Sequence, residues 1–172
     1  MMEMTAMQIA VKMAMQLLLA FTGTVAFSVL FSVPAKHFFY CGLTGSVGWG
    51  VYLIINGCYH TPVMAMFAAT LILTSLSRYL SVKRKAPTPV FLLCGIFTLV
   101  PGSGIYYTAY SIFMDAGKEA LENGIGTMKL AVAIALGIGA AYSIPSKVFG
   151  WKNEAEVWKK PNPQELKEKQ QN

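Results

Sequence analysis

The feature that most constrains this chain is the near absence of charge over residues 13 to 77, where Lys36 is the only Lys, Arg, Asp or Glu. A soluble fold could not cover its surface from such a stretch. Over all 172 residues, 55% are hydrophobic and 13% are charged, whereas soluble domains average about 25% charged residues. The chain is therefore predicted to be an all-α integral membrane protein.

Five apolar segments have lengths typical of membrane helices, which need about 20 residues to cross the hydrocarbon core. We predict about five transmembrane helices, the first ending at Val33 because the following Pro34 disfavours helix. That segment is too long, and its start too neutral, for a cleaved signal peptide. The spans form a transmembrane domain over residues 1–148, before a polar cytoplasmic tail at 149–172. Their expected bounds are about 13–33, 38–57, 63–80, 90–114 and 127–145.

The fourth segment is interrupted by the sequence Pro101-Gly102-Ser103-Gly104. Each half has about ten residues and is too short to cross a membrane alone. The region is therefore either a kinked crossing or a re-entrant segment. After it, we expect residues 115–126 to form a short polar connection to the last span.

The placement of Lys and Arg favours a fourth segment that crosses. With five crossings, eleven basic residues share one side of the membrane and three lie on the other. Cytoplasmic loops carry the excess of Lys and Arg, so the N-terminus is expected outside and the C-terminus in the cytoplasm. If the fourth segment did not cross, the C-terminal tail would lie on the side of the membrane opposite Lys83, Arg84 and Lys85. The difference in basic residues between the two sides would then be smaller.

Small residues in the second segment predict a close contact between helices. Gly42, Gly45 and Gly48 recur at helical spacing, and such stripes let membrane helices approach closely. The three cysteines are odd in number and lack metal-ligand spacing, so we expect them to act as small apolar residues in the interior. They are Cys41, Cys58 and Cys94.

Several function classes find no support in the sequence. No Asp or Glu lies deep in an apolar segment, which argues against an ion-coupled cycle run by this chain alone. No His/Asp/Glu cluster suggests a metal site or a membrane enzyme, and no cofactor is expected. No basic stripe is interleaved with aromatic residues, so nucleic-acid binding is not predicted.

The interruption is the sharpest candidate for a functional site. A half-helix beginning near Ser103 would point its N–H groups and positive dipole end at the break, where they could hold a carboxylate. The alternative is a packing kink whose hydroxyls bond neighbouring helices. The candidate residues are Pro101, Gly102, Ser103, Gly104, Tyr106 and Tyr110.

Two polar residues of the third segment are further candidates. Arg78 is either a second anion-binding group or a side chain that snorkels to the headgroups. Thr74 shares a helix face with Thr70 and Ser77, and these hydroxyls either line a path or join helices.

The chain resembles the small component of the threonine/serine exporter (ThrE) family over roughly residues 10–148. The order and spacing of four short stretches carry the resemblance. They are Phe31-Ser32-Val33-Pro34, Cys41-Gly42-Leu43-Thr44-Gly45-Ser46-Val47-Gly48, Ser77-Arg78 and Val100-Pro101-Gly102-Ser103-Gly104-Ile105-Tyr106.

The resemblance implies export of small polar metabolites, such as threonine and serine or dicarboxylates like succinate, across the cell (inner or plasma) membrane. It also implies a larger membrane subunit of the same family as partner, and it makes Pro101, Gly102 and Tyr106 the residues most expected to shape the pathway. The small-residue faces of the helices separately predict a homo- or hetero-oligomer. The alternative function is a scaffold or assembly subunit that does not itself transport.

Overall fold

A computed structural model describes residues 6–145 of the chain as a bundle of helices. Within that range there are six α-helices, with one short 3-10 helix before α2, and no strand, which confirms the all-α prediction. Residues 149–172, expected to form a cytoplasmic tail, lie outside the described residues. The α-helices are α1 (Ala6–Leu30), α2 (Phe38–Tyr59), α3 (Pro62–Arg84), α4 (Thr88–Ile96), α5 (Gly102–Phe113) and α6 (Gly117–Ser143).

Four helical segments are long and apolar enough to cross a membrane, by length and composition. They comprise α1, the 3-10 helix with α2, α3, and α6. The fourth apolar segment is divided between α4 and α5, of 9 and 12 residues, so neither half reaches the roughly 20 residues that a crossing requires.

The first helix ends earlier than expected. α1 stops at Leu30 rather than Val33, because a hydrogen-bonded turn ends the helix three residues before the position that Pro34 disfavours. Ser32 has a left-handed φ of 53°, and the N–H of Val33 donates to the carbonyl of Ser28 at 3.0 Å. This pairing satisfies carbonyls that the end of a helix would otherwise leave unpaired.

The third helix ends later than expected, at Arg84 rather than about residue 80. It begins with Pro62 at its first position, where the missing N–H costs nothing. Its last turn carries Lys83 and Arg84, and cations are favourable at the negative end of the helix dipole. The residues expected to form a basic loop therefore continue the helix up to a left-handed turn at Lys85.

The interruption of the fourth segment also lies earlier than predicted. The non-helical residues are 97–101, and residues 102–104 form the first turn of α5. The N–H groups of Thr98 and Leu99 bond three residues back, to Gly95 and Ile96, which tightens and ends α4. Pro101 then caps α5.

The polar connection expected over residues 115–126 is wrong, because α6 begins at Gly117. A left-handed turn at Asp115 (φ 57°) ends α5, and α6 starts immediately after it. The early turns of α6 are helical because they pack on α5, where Gly124 contacts Thr108. Glu119 lies in the first turn of α6, at the end of the dipole that favours an acid.

Contacts along α3 and α6 show that these two helices run parallel. Val63 at the start of α3 lines one groove with Met128, Thr70 lies against Gly137, and Arg78 bonds the carbonyl of Ile144. Because the two helices run in the same direction, the chain leaves α3 at one end of the pair and enters α6 at the opposite end. The segment between α3 and α6 must therefore cover the distance between these two ends. The α4–α5 segment therefore passes from one end of α3 to the end at which α6 begins.

The three glycines proposed for packing contact two different helices. A Cβ on Gly42 would meet the ring of Phe21 at 2.6 Å, and one on Gly45 would overlap the hydroxyl of Thr24, both on α1. A Cβ on Gly48 would meet Leu73 of α3 at 2.5 Å. α2 therefore lies between α1 and α3, with a close approach on each side.

The cysteines divide into two groups. Cys41 and Cys94 are buried, as expected for small apolar residues. Cys58 is exposed, so its predicted place in the interior is wrong. It lies in the last turn of α2, close to the left-handed residue His60 that ends this helix.

Candidate functional site

The broken segment lies near the middle of the bundle, beside a small hollow. Thr98 lines this hollow together with Gln16 and Ala20 of α1 and Trp49 of α2. Its volume is about 270 Å3. Gln16 and Trp49 each occur near the middle of their helices, so the hollow is far from both ends of the bundle.

The backbone around the break has polar groups that are not used in helix pairing. Among the residues described, the hydrogen bonds outside the regular helices include none accepted by the carbonyls of residues 97–99. The N–H groups of Ser103 and Gly104, at the start of α5, donate none of these bonds either. The break thus presents acceptors from one half and donors from the other, as a discontinuous membrane helix does.

The first turn of α5 contains one open glycine and one closely packed glycine. Gly102 has no atom within 4 Å of the position that a Cβ would occupy. A Cβ on Gly104 would overlap the hydroxyl of Thr127 on α6. Gly104 therefore sets the distance between α5 and α6, whereas Gly102 and Ser103 are exposed beside the break.

The tyrosines of α5 lie on its exposed surface. Tyr106 stacks on Tyr110 with ring centroids 6.2 Å apart, and Tyr107 meets Tyr106 edge-on at 5.4 Å. Tyr106 is 63% exposed and Tyr110 is 47% exposed. Gly104 packs beside Thr127 of α6, and the next α6 residue, Met128, lies beside Val63 at the start of α3. The start of α5 is therefore level with the start of α3. From there α5 runs outward, and its tyrosines lie farther out than Gly104.

Arg78 contacts α6 and does not snorkel. It is only 6% exposed, and its Nη1 donates to the carbonyls of Ala141 at 2.6 Å and Ile144 at 3.0 Å. The guanidinium also lies 5.3 Å from the ring centre of Tyr142. The structure therefore brings Arg78 to the end of α6, while the broken segment lies at mid-bundle.

The hydroxyl residues of α3 behave differently from one another. Thr70 and Ser77 donate to the carbonyls of Met66 and Leu73 within their own helix. Thr74 is fully buried, and its hydroxyl has no hydrogen-bond partner among the described residues. None of the three forms the hydrogen bond between helices that a joining role would require.

The sequence reasoning missed the hollow. Gln16 is the only Gln or Asn among residues 13–33, which is a signal that could have singled it out. Trp49 and Thr98 carry no such signal, because an indole and a hydroxyl are common in apolar helices. The lining of the hollow is mainly apolar and has no ionised side chain, and the Thr98 hydroxyl donates to the carbonyl of Gly95 at 2.7 Å.

Comparison with known proteins matches residues 16–144 to a family described as the threonine/serine exporter, ThrE. The chain is also similar to an uncharacterized protein of Haemophilus influenzae, with 26% identity over 146 residues. That alignment covers 80% of this chain and 48% of the relative, so the chain spans about half the length of the curated relative that it matches. No solved structure matches the chain significantly.

The family match extends from the middle of α1 to the end of α6 and includes the broken segment, the hollow and the close glycine contacts. It confirms the resemblance that the short sequence stretches indicated. This helical membrane protein belongs to the threonine/serine exporter (ThrE) family.

Proposed function

We propose that this chain is a membrane subunit of an exporter for small polar metabolites, either threonine and serine or dicarboxylates such as succinate. In this proposal it acts in the plasma membrane with a larger membrane subunit of the same family. The family match supports transport as the class of activity. The observation that carries the proposal is the non-helical stretch 97–101, whose Thr98 lies at mid-bundle beside Gln16 and Trp49, because non-helical backbone at membrane depth must be covered by protein or face a water-filled cavity.

The two sides of the break have the polarity that a small carboxylate or zwitterion requires. The start of α5 offers the N–H groups of Ser103 and Gly104 and the positive end of a helix dipole. The carbonyls of residues 97–99 supply acceptors on the other side. In our proposal the solute moves past residues 97–104, and Tyr106 and Tyr110 lie farther along its route.

Arg78 and Thr74 have a less direct part in this proposal. The Arg78 guanidinium already bonds two α6 carbonyls, which supports a role in holding α3 to α6 beside the pathway. Thr74 is a buried hydroxyl on the same helix, four residues earlier. We propose that these residues support the bundle around the route.

The proposed orientation puts the N-terminus outside and the C-terminus in the cytoplasm. Its support is the charge bias of eleven basic residues against three, together with the parallel course of α3 and α6. Under this orientation the short turn between α2 and α3 faces outward. The end of α3, with Lys83, Arg84 and Lys85, faces the cytoplasm.

Efflux measurements test the proposed function. Cells lacking endogenous exporters would express this chain, the larger subunit, or both, and would be loaded with labelled threonine, serine or succinate. We expect efflux of one of these solutes only when both chains are present. Equal efflux with and without this chain would contradict the proposal and favour the scaffold function.

A further inference from the structure

Two of the three cysteines meet where α2 packs on α4. Cys41 and Cys94 are both fully buried, and they belong to the same apolar cluster of the core. Their thiols lie within hydrogen-bonding reach of each other, and the hydroxyl of Ser28 on α1 lies within reach of both. The proposed solute route past residues 97–104 uses neither thiol, so it does not account for this contact.

The two helices approach each other closely at this point. The Sγ atom of Cys41 lies 3.8 Å from the carbonyl oxygen of Val90, which is one turn before Cys94. About one turn farther along α2, the hydroxyl of Thr44 would lie 3.1 Å from a Cβ on Gly95. Short side chains of α2 thus reach the backbone of α4, and this close spacing is what a disulfide between the two helices requires.

A second, smaller hollow connects one of these sulfurs to the surface of the bundle. Its volume is about 180 Å3, and its lining consists of Phe31, Val33, Pro89, Val90, Leu93 and Cys94. Phe31 and Leu93 are 42% and 48% exposed, so the hollow lies at the surface. Because the lining is apolar, a small uncharged molecule can enter, whereas an ion would lose its hydration. Hydrogen peroxide is small and uncharged.

We propose that Cys41 and Cys94 form a dithiol site, which hydrogen peroxide oxidises to a disulfide that joins α2 to α4. The Cys94 sulfur, which borders the hollow, attacks one peroxide oxygen. The O–O bond breaks, Cys94 becomes a sulfenic acid, and the second oxygen leaves as water with the thiol proton. The Cys41 sulfur then attacks the Cys94 sulfur, the S–S bond forms, and the sulfenic hydroxyl leaves with the Cys41 proton as a second water. The thiols lose two electrons, and the peroxide gains them.

The disulfide would restrain the broken segment. α4 ends at Ile96, two residues after Cys94, and the non-helical residues 97–101 follow directly. A covalent link to α2 fixes this end of α4, so it limits the movement of the residues beside the proposed solute route. Cys41 lies near the start of α2, which faces the cytoplasm in the proposed orientation, and cytosolic disulfides are usually transient and redox-sensing. This effect on efflux rests on the proposed function, whereas disulfide formation does not.

Counting free thiols in the full chain separates this site from two inert packing residues, which is what burial alone would make of these thiols. Membranes containing the Cys58→Ser chain are treated with hydrogen peroxide, then unfolded with N-ethylmaleimide and analysed by mass spectrometry. We expect both maleimide adducts to be lost together, Cys41 and Cys94 to appear in one linked peptide, and dithiothreitol to restore both thiols. Cys41→Ala in the same background should instead stop at a sulfenic acid on Cys94, which dimedone traps.

The exposed Cys58, at the other end of α2, is the reference thiol in the unmodified chain. Retention of both adducts at a peroxide concentration that oxidises Cys58 would overturn the proposal. Disulfides that join two chains, in place of Cys41 to Cys94 within one chain, would overturn it as well. The thiol count decides the question even where the Cys41→Ala chain fails to fold.

Efflux from cells that express both subunits is the second readout. In the Cys58→Ser background, we expect peroxide to lower efflux to the level of cells without this chain, and dithiothreitol to restore it. The chain that also carries Cys41→Ala should keep its efflux in peroxide. Disulfide formation with unchanged efflux would overturn the restraint on the broken segment. Absence of efflux before any oxidation would contradict the proposed function, and the thiol count, which requires no transport, would still decide the dithiol site.

Discussion

Arg78 in α3 holds the end of α6, because its Nη1 donates at 3.0 Å to the carbonyl of Ile144, the residue that follows the helix. A second bond from the same nitrogen reaches Ala141 at 2.6 Å. The last four carbonyls of a helix have no partner within it, and a cation complements the negative end of its dipole. The buried guanidinium therefore stabilises the side-by-side packing of α3 and α6.

Arg78→Met is expected to destabilise the purified chain. A hydrogen bond from a charged donor contributes about 1.5–3 kcal/mol, and the substitution removes two while leaving the carbonyls unpaired. Thermal unfolding in detergent should show a lower midpoint. Lys83→Met, which removes an exposed cation five residues later, should lower the midpoint much less, because an exposed charge near a helix end contributes only about 0.3–1 kcal/mol. An Arg78→Met chain that unfolds normally but no longer supports efflux would instead show that Arg78 acts in the pathway.

Gly45→Ala is expected to separate α1 from α2. The new Cβ would overlap the hydroxyl of Thr24, and overpacking of this kind costs about 1–3 kcal/mol. Gly57→Ala in the same helix meets nothing within 4 Å, so it should be neutral or slightly stabilising. Adding Thr24→Ala should restore part of the stability lost in Gly45→Ala. Equal stability of the two glycine variants would disprove the close contact.

Gly102→Leu is expected to block efflux without unfolding the chain. The position is exposed and has nothing within 4 Å of a Cβ, but it adjoins the break through which we propose that the solute moves. Gly139→Leu is its control, because Gly139 is equally open and lies in α6. We expect Gly102→Leu to lower the efflux rate about tenfold and Gly139→Leu to leave it unchanged. Unchanged efflux with Gly102→Leu would move the pathway away from the start of α5.

Labelling of cysteines tests the orientation. Cys58 is exposed near the turn between α2 and α3, whereas Cys41 and Cys94 are buried. In intact cells, a membrane-impermeant maleimide should therefore modify Cys58 from outside, and Cys58→Ser should abolish the labelling. Lys85→Cys in the Cys58→Ser background should react only after the cells are opened. The reverse pattern would invert the proposed orientation.

Helix ends show how far local sequence signals extend. Pro34 predicted an end for α1, but the left-handed turn at Ser32 ended it three residues earlier than expected. No residue type marks that turn, because serine adopts a positive φ only when the surrounding structure requires it. The start of α6 was missed for a similar reason. The charged residues 118–122 are typical of a loop, and they form helix because α5 packs beside the following turns.

The sequence by itself determined that this chain is a helical membrane protein with a broken fourth segment. Those properties depend on composition within windows of about 20 residues, on the proline that caps α5, and on the uneven distribution of Lys and Arg. The family resemblance was equally local, since it rested on short stretches such as residues 100–106.

Only the tertiary structure decided where Arg78 is used, which helices the glycines approach, and that Gln16, Trp49 and Thr98 surround one hollow. These facts depend on the alignment of helices far apart in the chain. Arg78 and Ala141 are separated by 63 residues, and the parallel course of α3 and α6 follows from this contact together with those of Val63 with Met128 and Thr70 with Gly137. No local pattern encodes the register between two helices, because it is set by the side chains that interlock when both are in place.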